Sequence, residues 1–138
     1  MPDVLTPQQR SYNMSRIRGR DTKPEKVVRS LVHQLGFRFR LHNPHLPGRP
    51  DLTLTRHHKI INVHGCFFHM HDCRFGNVTP KTREEFWRSK RQATVLRDKR
   101  NDAELRRLGW KVLTVWECET KYPDALKGKV RRFLGDLR

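Results

Sequence analysis

The 138-residue chain has no stretch near the roughly 18 consecutive apolar residues that span a bilayer, and its opening MPDVLTPQQRSYNM lacks the apolar run of a secretory signal. An intracellular protein without membrane association is expected. Acids are scarce: 14 Asp and Glu stand against 30 Lys and Arg, and the resulting +16 is spread from Arg10 to Arg138 rather than gathered in a tail. Such a balance calls for a polyanionic partner. Only three cysteines occur, too few to pair fully within one chain. In a reducing compartment they are metal ligands or buried thiols rather than bridges. No repeat or low-complexity tract interrupts the chain, and 35% hydrophobic content with three Trp and seven Phe supports a packed core. The length fits one folded domain that buries about two-thirds of its unfolded surface.

The first twenty residues are polar and basic with no sustained apolar face, and read as a short helix or arm. Thr22-Lys23-Pro24-Glu25 then has the form of a capping box, and Val27, Val28, Leu31, Val32 and Leu35 predict a helix over 23–35 that stops at Gly36. FRFRL at 37–41 alternates as a half-buried strand does. DLTLT and KIINVHG predict two strands joined by the tight connection Arg56-His57-His58. Thr82-Arg83-Glu84-Glu85 reads as a second capping box heading a long basic helix that ends at Gly109. WKVLTVWE, nearly continuous in apolar residues, predicts a central parallel strand, and a short helix follows from Tyr122-Pro123-Asp124. The order α, β, β, β, α, β, α predicts a three-layer α/β domain with a mixed sheet.

Chemistry concentrates in HGCFFHMHDC at 64–73. Cys66, His71, Cys73 and the distant Cys118 make a Cys₃His set, the donor composition of structural zinc, although C-x4-H-x-C is no standard finger and His69 can stand in for His71. Pro50-Asp51 opens one strand and Val63-His64 closes the next, so a hairpin sets Asp51 beside the backbone of 62–64, where a carboxylate and a peptide carbonyl can share a hard cation. That is similar to the nuclease core in which Pro-Asp is followed by an acidic-x-Lys triplet. Here the triplet is Asn62-Val63-His64, and Pro-Asp alone is also a common turn. Phe67-Phe68 and Phe86-Trp87 are aromatic pairs of the kind that either fill a core or wedge into a base stack. The helix carrying Arg83, Arg88, Lys90, Arg91, Arg97, Lys99, Arg100, Arg106 and Arg107 has few interleaved acids, which favours phosphate contact over a merely solvated face.

These features resemble the very-short-patch mismatch-repair endonucleases, bacterial enzymes that nick DNA at T:G mismatches. The likeness runs through S-x-N-M at 11–14, RDT at 20–22, Glu25, LPGRPD at 46–51, HGCFFHMHDC, TREEFW at 82–87 and LGWKVLTVWEC at 108–118. It implies a three-layer restriction-endonuclease-like core, with a central mixed sheet flanked by helices and a structural zinc site, over 21–138, preceded by a DNA-contacting arm at 1–20. It implies Mg²⁺ on Asp51 and the Val63 carbonyl, His69 as general acid/base, and His64 and Glu25 completing the catalytic site; Glu25 fits the capping box as well. Zinc falls to Cys66, His71, Cys73 and Cys118. Phe67, Phe68 and Trp87 become a major-groove wedge with Met14 as its partner from the arm, and Arg20 and Arg49 further DNA contacts.

The expected activity is a strand-specific nick 5′ to the thymine of a T:G mismatch left by 5-methylcytosine deamination. The enzyme would act as a monomer on double-stranded DNA in the bacterial cytoplasm, at the nucleoid, with other mismatch-repair proteins as a further class of partner. Two features depart from the family: Thr94 stands where asparagine is common, and Phe68 where tryptophan is usual. A side-chain amide can contact a base in a bidentate way that threonine cannot, which bears on sequence context rather than chemistry. Two other readings fit parts of the pattern: a noncatalytic zinc-containing nucleic-acid-binding module, and a restriction-type nuclease that cuts matched duplex. The charge alone makes one prediction. Neutralising roughly six to ten phosphates gives a log–log slope of DNA affinity against salt of about −5 to −9. A salt titration of matched-duplex binding checks it, and a slope near zero contradicts the polyanion reading.

Overall fold

The computed structural model describes residues 21–78 and 80–135, so the arm at 1–20, with Met14 and Arg20, lies outside the described residues. The elements are α1 (Lys23–Gln34), β1 (Arg40–Leu41), β2 (Leu52–Leu54), β3 (Lys59–His64), α2 (Glu84–Arg107), β4 (Lys111–Trp116) and α3 (Pro123–Leu134), with 3-10 turns at Thr55–His57 and Glu117–Lys121. The sheet order is β1-β2-β3-β4, antiparallel across the first two pairings and parallel between β3 and β4. Among the described residues the fold is thus a mixed four-stranded sheet with three helices. No helix among the described residues is long and apolar enough to cross a membrane.

The period-2 alternation of the strands divides the core between two faces. Leu52, Leu54, Ile61, Val63 and Val115 pack with Val28, Leu31 and Val32 of α1 and Leu126, Val130 and Leu134 of α3. On the other face Ile60 and Val112, paired in register, pack against Leu105 of α2, with Leu46 and Trp110 at the margin. Helices therefore lie on both faces.

Three sequence expectations change. FRFRL contributes only Arg40 and Leu41 to the sheet. The strand β4 is an edge strand among the described residues, not a central one; its apolar run reflects cover on both faces, Val115 toward α1 and α3 and Val112 toward α2. The box at Thr82 does not form: α2 starts at Glu84 after Arg83 in the left-handed region (φ 54°), with no side-chain cap. That turn carries Thr82 off the helix axis. At Thr22 the expected cap holds, its Oγ1 accepting from the Glu25 N–H (3.4 Å), while the Glu25 carboxylate reaches back to the N–H of Asp21 (2.7 Å) rather than of Thr22.

The 24-residue α2 buries only Arg91 and Leu105. Its C-terminus closes in a Schellman arrangement: Gly109, at φ 96°, donates to Arg106 and Trp110 to Leu105, a geometry that needs glycine at the left-handed position. Because Leu105 is the apolar anchor of a small cluster, Leu105→Ala is expected to cost about 2–4 kcal/mol, the usual range for a fully buried leucine. A fall in the urea midpoint at unchanged slope checks it.

Candidate active site and metal centre

The β2–β3 hairpin fixes Asp51. Its Oδ2 accepts from the Val63 N–H at 2.6 Å, and its own N–H donates to Asn62 Oδ1 at 3.4 Å, the juxtaposition expected from the hairpin length. Burial pushes the Asp51 carboxyl from 3.8 up to about 6; the Val63 N–H opposes the shift and the nearby Glu25 carboxylate adds to it. A buried carboxylate of this kind suits a hard cation that keeps most of its water.

Asp51 lines a cleft of about 1170 Å³ between the 42–51 loop and α2, shared with His42, Arg49, His64, His69 and Asp98. His69 Nδ1 lies 2.5 Å from Asp98 Oδ2. A carboxylate only accepts, so Nδ1 carries the proton and Nε2 is left able to take one. His64 stacks face to face on His69, 3.9 Å between centroids at 5°, and burial, then the neighbouring His69, push its pKa down to about 4. It is therefore neutral at pH 7. His64, His69 and Asp98 lie within 4.8 Å of one another, but parallel stacked rings aim their lone pairs in parallel planes and cannot converge on one ion. The trio is a His69–Asp98 hydrogen bond with His64 stacked on the His69 ring.

Glu25, 2% exposed, lies behind Asp51. Its Oε2 is 2.9 Å from Arg29 Nη2 and 3.2 Å from His42 Nε2, and the same imidazole nitrogen is 3.9 Å from Asp51 Oδ1. Arg29 also reaches Asp21 at 2.8 Å, so a guanidinium stands where the Asp21, Glu25 and His42 group would otherwise hold a metal.

The second donor set is Cys66, His71, Cys73 and Cys118, all within 4.8 Å of one another. His71 Nδ1 is 3.6 Å from both Cys66 Sγ and Cys118 Sγ. Ligands at about 2.3 and 2.05 Å from a tetrahedral zinc lie roughly 3.6 Å apart, so the set has the spacing of the ion it would hold. Burial pushes the Cys66 thiol up to about 12, and a bound cation would reverse that. His71 stacks on Trp116 (4.1 Å, 11°), whose opposite neighbour is the edge of His64 (5.3 Å). Met70, left-handed at φ 52°, turns the two flanking histidines apart: His71 to the cysteines, His69 to Asp98.

Phe67, Phe68, Phe86 and Trp87 form an edge-on aromatic group where this loop meets the head of α2, with centroids 5.3–6.2 Å apart. Phe68 and Phe86 remain about 40% exposed, and Arg83 and Lys90 lie over the Phe86 ring. Arg49 is exposed at the cleft. The hydroxyl of Thr94 donates to the Lys90 carbonyl one turn back. Arg91 departs from the phosphate-contact expectation, being buried at 4% exposure. Arg88, Arg106 and Arg107 pair with acids of their own helix.

Sequence reading missed Asp98, His42 and Trp116. Asp98 carried a signal: with Val95 and Asp102 it makes an i, i+3, i+7 stripe on a basic helix, and all three line the cleft.

Residues 2–75 match the family model described as DNA mismatch endonuclease Vsr. The chain belongs to this family. It is similar to a type II nicking enzyme of Xanthomonas oryzae pv. oryzae, 45% identical over 134 residues (97% of this chain, 98% of that protein). It is also similar to the DNA mismatch endonuclease Vsr of Escherichia coli, 44% identical over 129 residues (94% of this chain, 78% of that protein), and to a type II nicking enzyme of Neisseria meningitidis, 35% identical over 138 residues (100% and 98%). This Vsr-family member is accordingly a DNA endonuclease.

Two histidines two positions apart are expected to fail differently. His71→Ala removes one of four donors and should lower bound metal and melting temperature. His69→Ala should leave both nearly intact and slow nicking by roughly 10² to 10⁴. Metal analysis, melting and single-turnover nicking on both variants check this, and the reverse pattern would swap the two roles.

Proposed function

We propose that this endonuclease recognises a T:G mismatch, the product of 5-methylcytosine deamination, and hydrolyses the phosphodiester 5′ to that thymine on one strand, initiating very-short-patch repair. It acts as a monomer on double-stranded DNA in the bacterial cytoplasm, at the nucleoid, where other mismatch-repair proteins are its further partners. The observation that carries this reading is the placement of an aromatic, cation-rimmed knob and a nuclease-type Asp51 cleft at the two sides of one loop, in a chain of the Vsr family.

Asp51 and the Val63 carbonyl would hold magnesium, which supplies charge stabilisation on the scissile phosphate. His69, its proton held on Nδ1 by Asp98, takes the proton of the attacking water at Nε2. Neutral His64 supports that ring by stacking, and Glu25 steadies the Asp51 carboxylate through His42. Cys66, His71, Cys73 and Cys118 would hold zinc and shape the loop. Phe67, Phe68 and Trp87 enter the stack at the mispaired step, which costs less to open than a paired one. Met14 of the 1–20 arm is their partner, and Arg20 and Arg49 are further DNA contacts.

A duplex with one T:G mismatch, its T:A counterpart, and magnesium present or withheld test the reading. Magnesium-dependent nicking of the thymine strand in the mismatch alone is expected. Equal cutting of matched DNA points to a restriction-type nuclease, and binding without nicking to a noncatalytic module.

Asp51 adds a stability prediction. Its folded-state pKa of about 6 exceeds the ordinary 3.8, so the contribution of this carboxyl to metal-free stability is greatest below about pH 4 and is lost as pH rises through 6. At pH 7 the ionised, buried carboxylate therefore costs about 1–3 kcal/mol. Asp51→Asn keeps an oxygen for the Val63 N–H. It is expected to raise the melting temperature without metal, lose the stabilisation that magnesium gives the parent, and nick at least about 100-fold more slowly.

A further inference from the structure

On a helix whose other cations face solvent or pair with acids of their own helix, Arg91 alone turns inward, at 4% exposure. Among the described residues it has no carboxylate partner. Each of its three guanidinium nitrogens donates instead to a main-chain carbonyl: Nε to Phe67 (2.7 Å), Nη1 to Val78 (2.7 Å) and Nη2 to Gly76. The same group covers the Phe67 ring, 4.4 Å from its centroid. An unpaired buried cation is costly, and three fixed carbonyls offset that cost only while the geometry is kept.

The acceptors come from both ends of the 67–78 segment, so Arg91 belts the loop onto α2. Trp87, one turn earlier on the helix, meets Phe67 at 5.5 Å, which makes Phe67, Trp87 and Arg91 a single contact unit. The belt also shares backbone with the Cys/His set: a Cβ on Gly76 would come 1.9 Å from the His71 carbonyl oxygen, so only glycine lets this strand of the loop lie against the metal-ligand segment and present its own carbonyl to Arg91.

We propose that Arg91 is a positioning residue for mismatch recognition: it holds Phe67 and Trp87 in the wedge geometry before DNA arrives. The inference rests on the reading of these rings as the wedge. Unstacking a base step costs a few kcal/mol, and a wedge free to pivot would add its own ordering entropy to that cost. A preset wedge spends nothing on ordering.

The test compares the parent with Arg91→Met and Arg91→Lys on three duplexes: T:G, T:A, and a T:G duplex with an abasic pair beside the mismatch, where little stacking remains to be broken. A 2-aminopurine at the opened step reports unstacking at saturating protein. Arg91→Met is expected to retain bound zinc, lose most of the 2-aminopurine signal and nick the T:G duplex roughly 10- to 100-fold more slowly, the scale of an ångström-sized misplacement. On the abasic duplex it should come within about threefold of the parent, a rescue that mere loss of fold would not show. Arg91→Lys keeps the charge without the fork and should fall between the two, and it carries the test if the methionine variant does not fold. Parental unstacking and nicking by a folded variant, or equal losses on the T:G and abasic duplexes, overturn the proposal. A parent that prefers T:G while the variants match it sinks the Arg91 inference alone; a parent with no preference for T:G sinks the wedge reading beneath it.

Discussion

The parallel pairing of β3 with β4 is the constraint on which the rest depends. Its register sets His64 beside Trp116, and both strands leave the sheet at the same level. Two residues on, Cys66 and Cys118 therefore meet, and the Cys118 N–H donates to Cys66 Sγ at 3.4 Å. A thiol 52 positions away in the chain is thus brought home by sheet geometry. The loop need only fold back far enough to add His71 and Cys73. The antiparallel partner β2 delivers Asp51 to the same end of β3, so the cleft and the Cys/His set are built at one strand terminus.

Three kinds of buried charge are held there in three ways. Asp51 is left with one backbone N–H and a raised pKa, a group short of a cation. The thiols share a site whose donor spacing suits a cation of another chemistry, soft rather than hard. Glu25 has its cation already, in Arg29. The donor types differ: a carboxylate oxygen at Asp51, sulfur and imidazole at the loop. Glu25 also shows how one residue serves twice, as the reach-back acid at the start of α1 and as the anchor of His42 beside Asp51.

Much of this was legible in the residues. The 3.6-residue stripe of α1, the hairpin length that sets Asp51 against Val63, and the Cys₃His composition each express a local or near-local rule, and each is found in the fold. What was not legible depended on the turn between elements. The αL conformation of Met70 sorts His69 from His71, and composition does not announce it. Arg83 in the same region undid a capping box that Thr82 and Glu85 spell correctly. The strand β4 looked central because its burial is supplied by helices above and below rather than by a further strand. Arg91 looked like one more phosphate contact, since a charge pattern cannot tell which arginine of a helix turns toward carbonyls.

The helix α2 buries only Arg91 near its start and Leu105 near its end, and Asp98 stands on the span between. At 1.5 Å per residue, the eleven residues from Trp87 to Asp98 make a strut of about 16 Å that can neither stretch nor slide. The helix thereby works as a gauge block: the distance from the Trp87 contact with Phe67 to the Asp98 contact with His69 is written into a residue count. One inserted residue would lengthen it by only about 1.5 Å but would swing Asp98 about 100° around the axis, away from the cleft. Loops elsewhere can vary in length, but the number of residues in this segment fixes how the aromatic group and the His69–Asp98 pair are spaced.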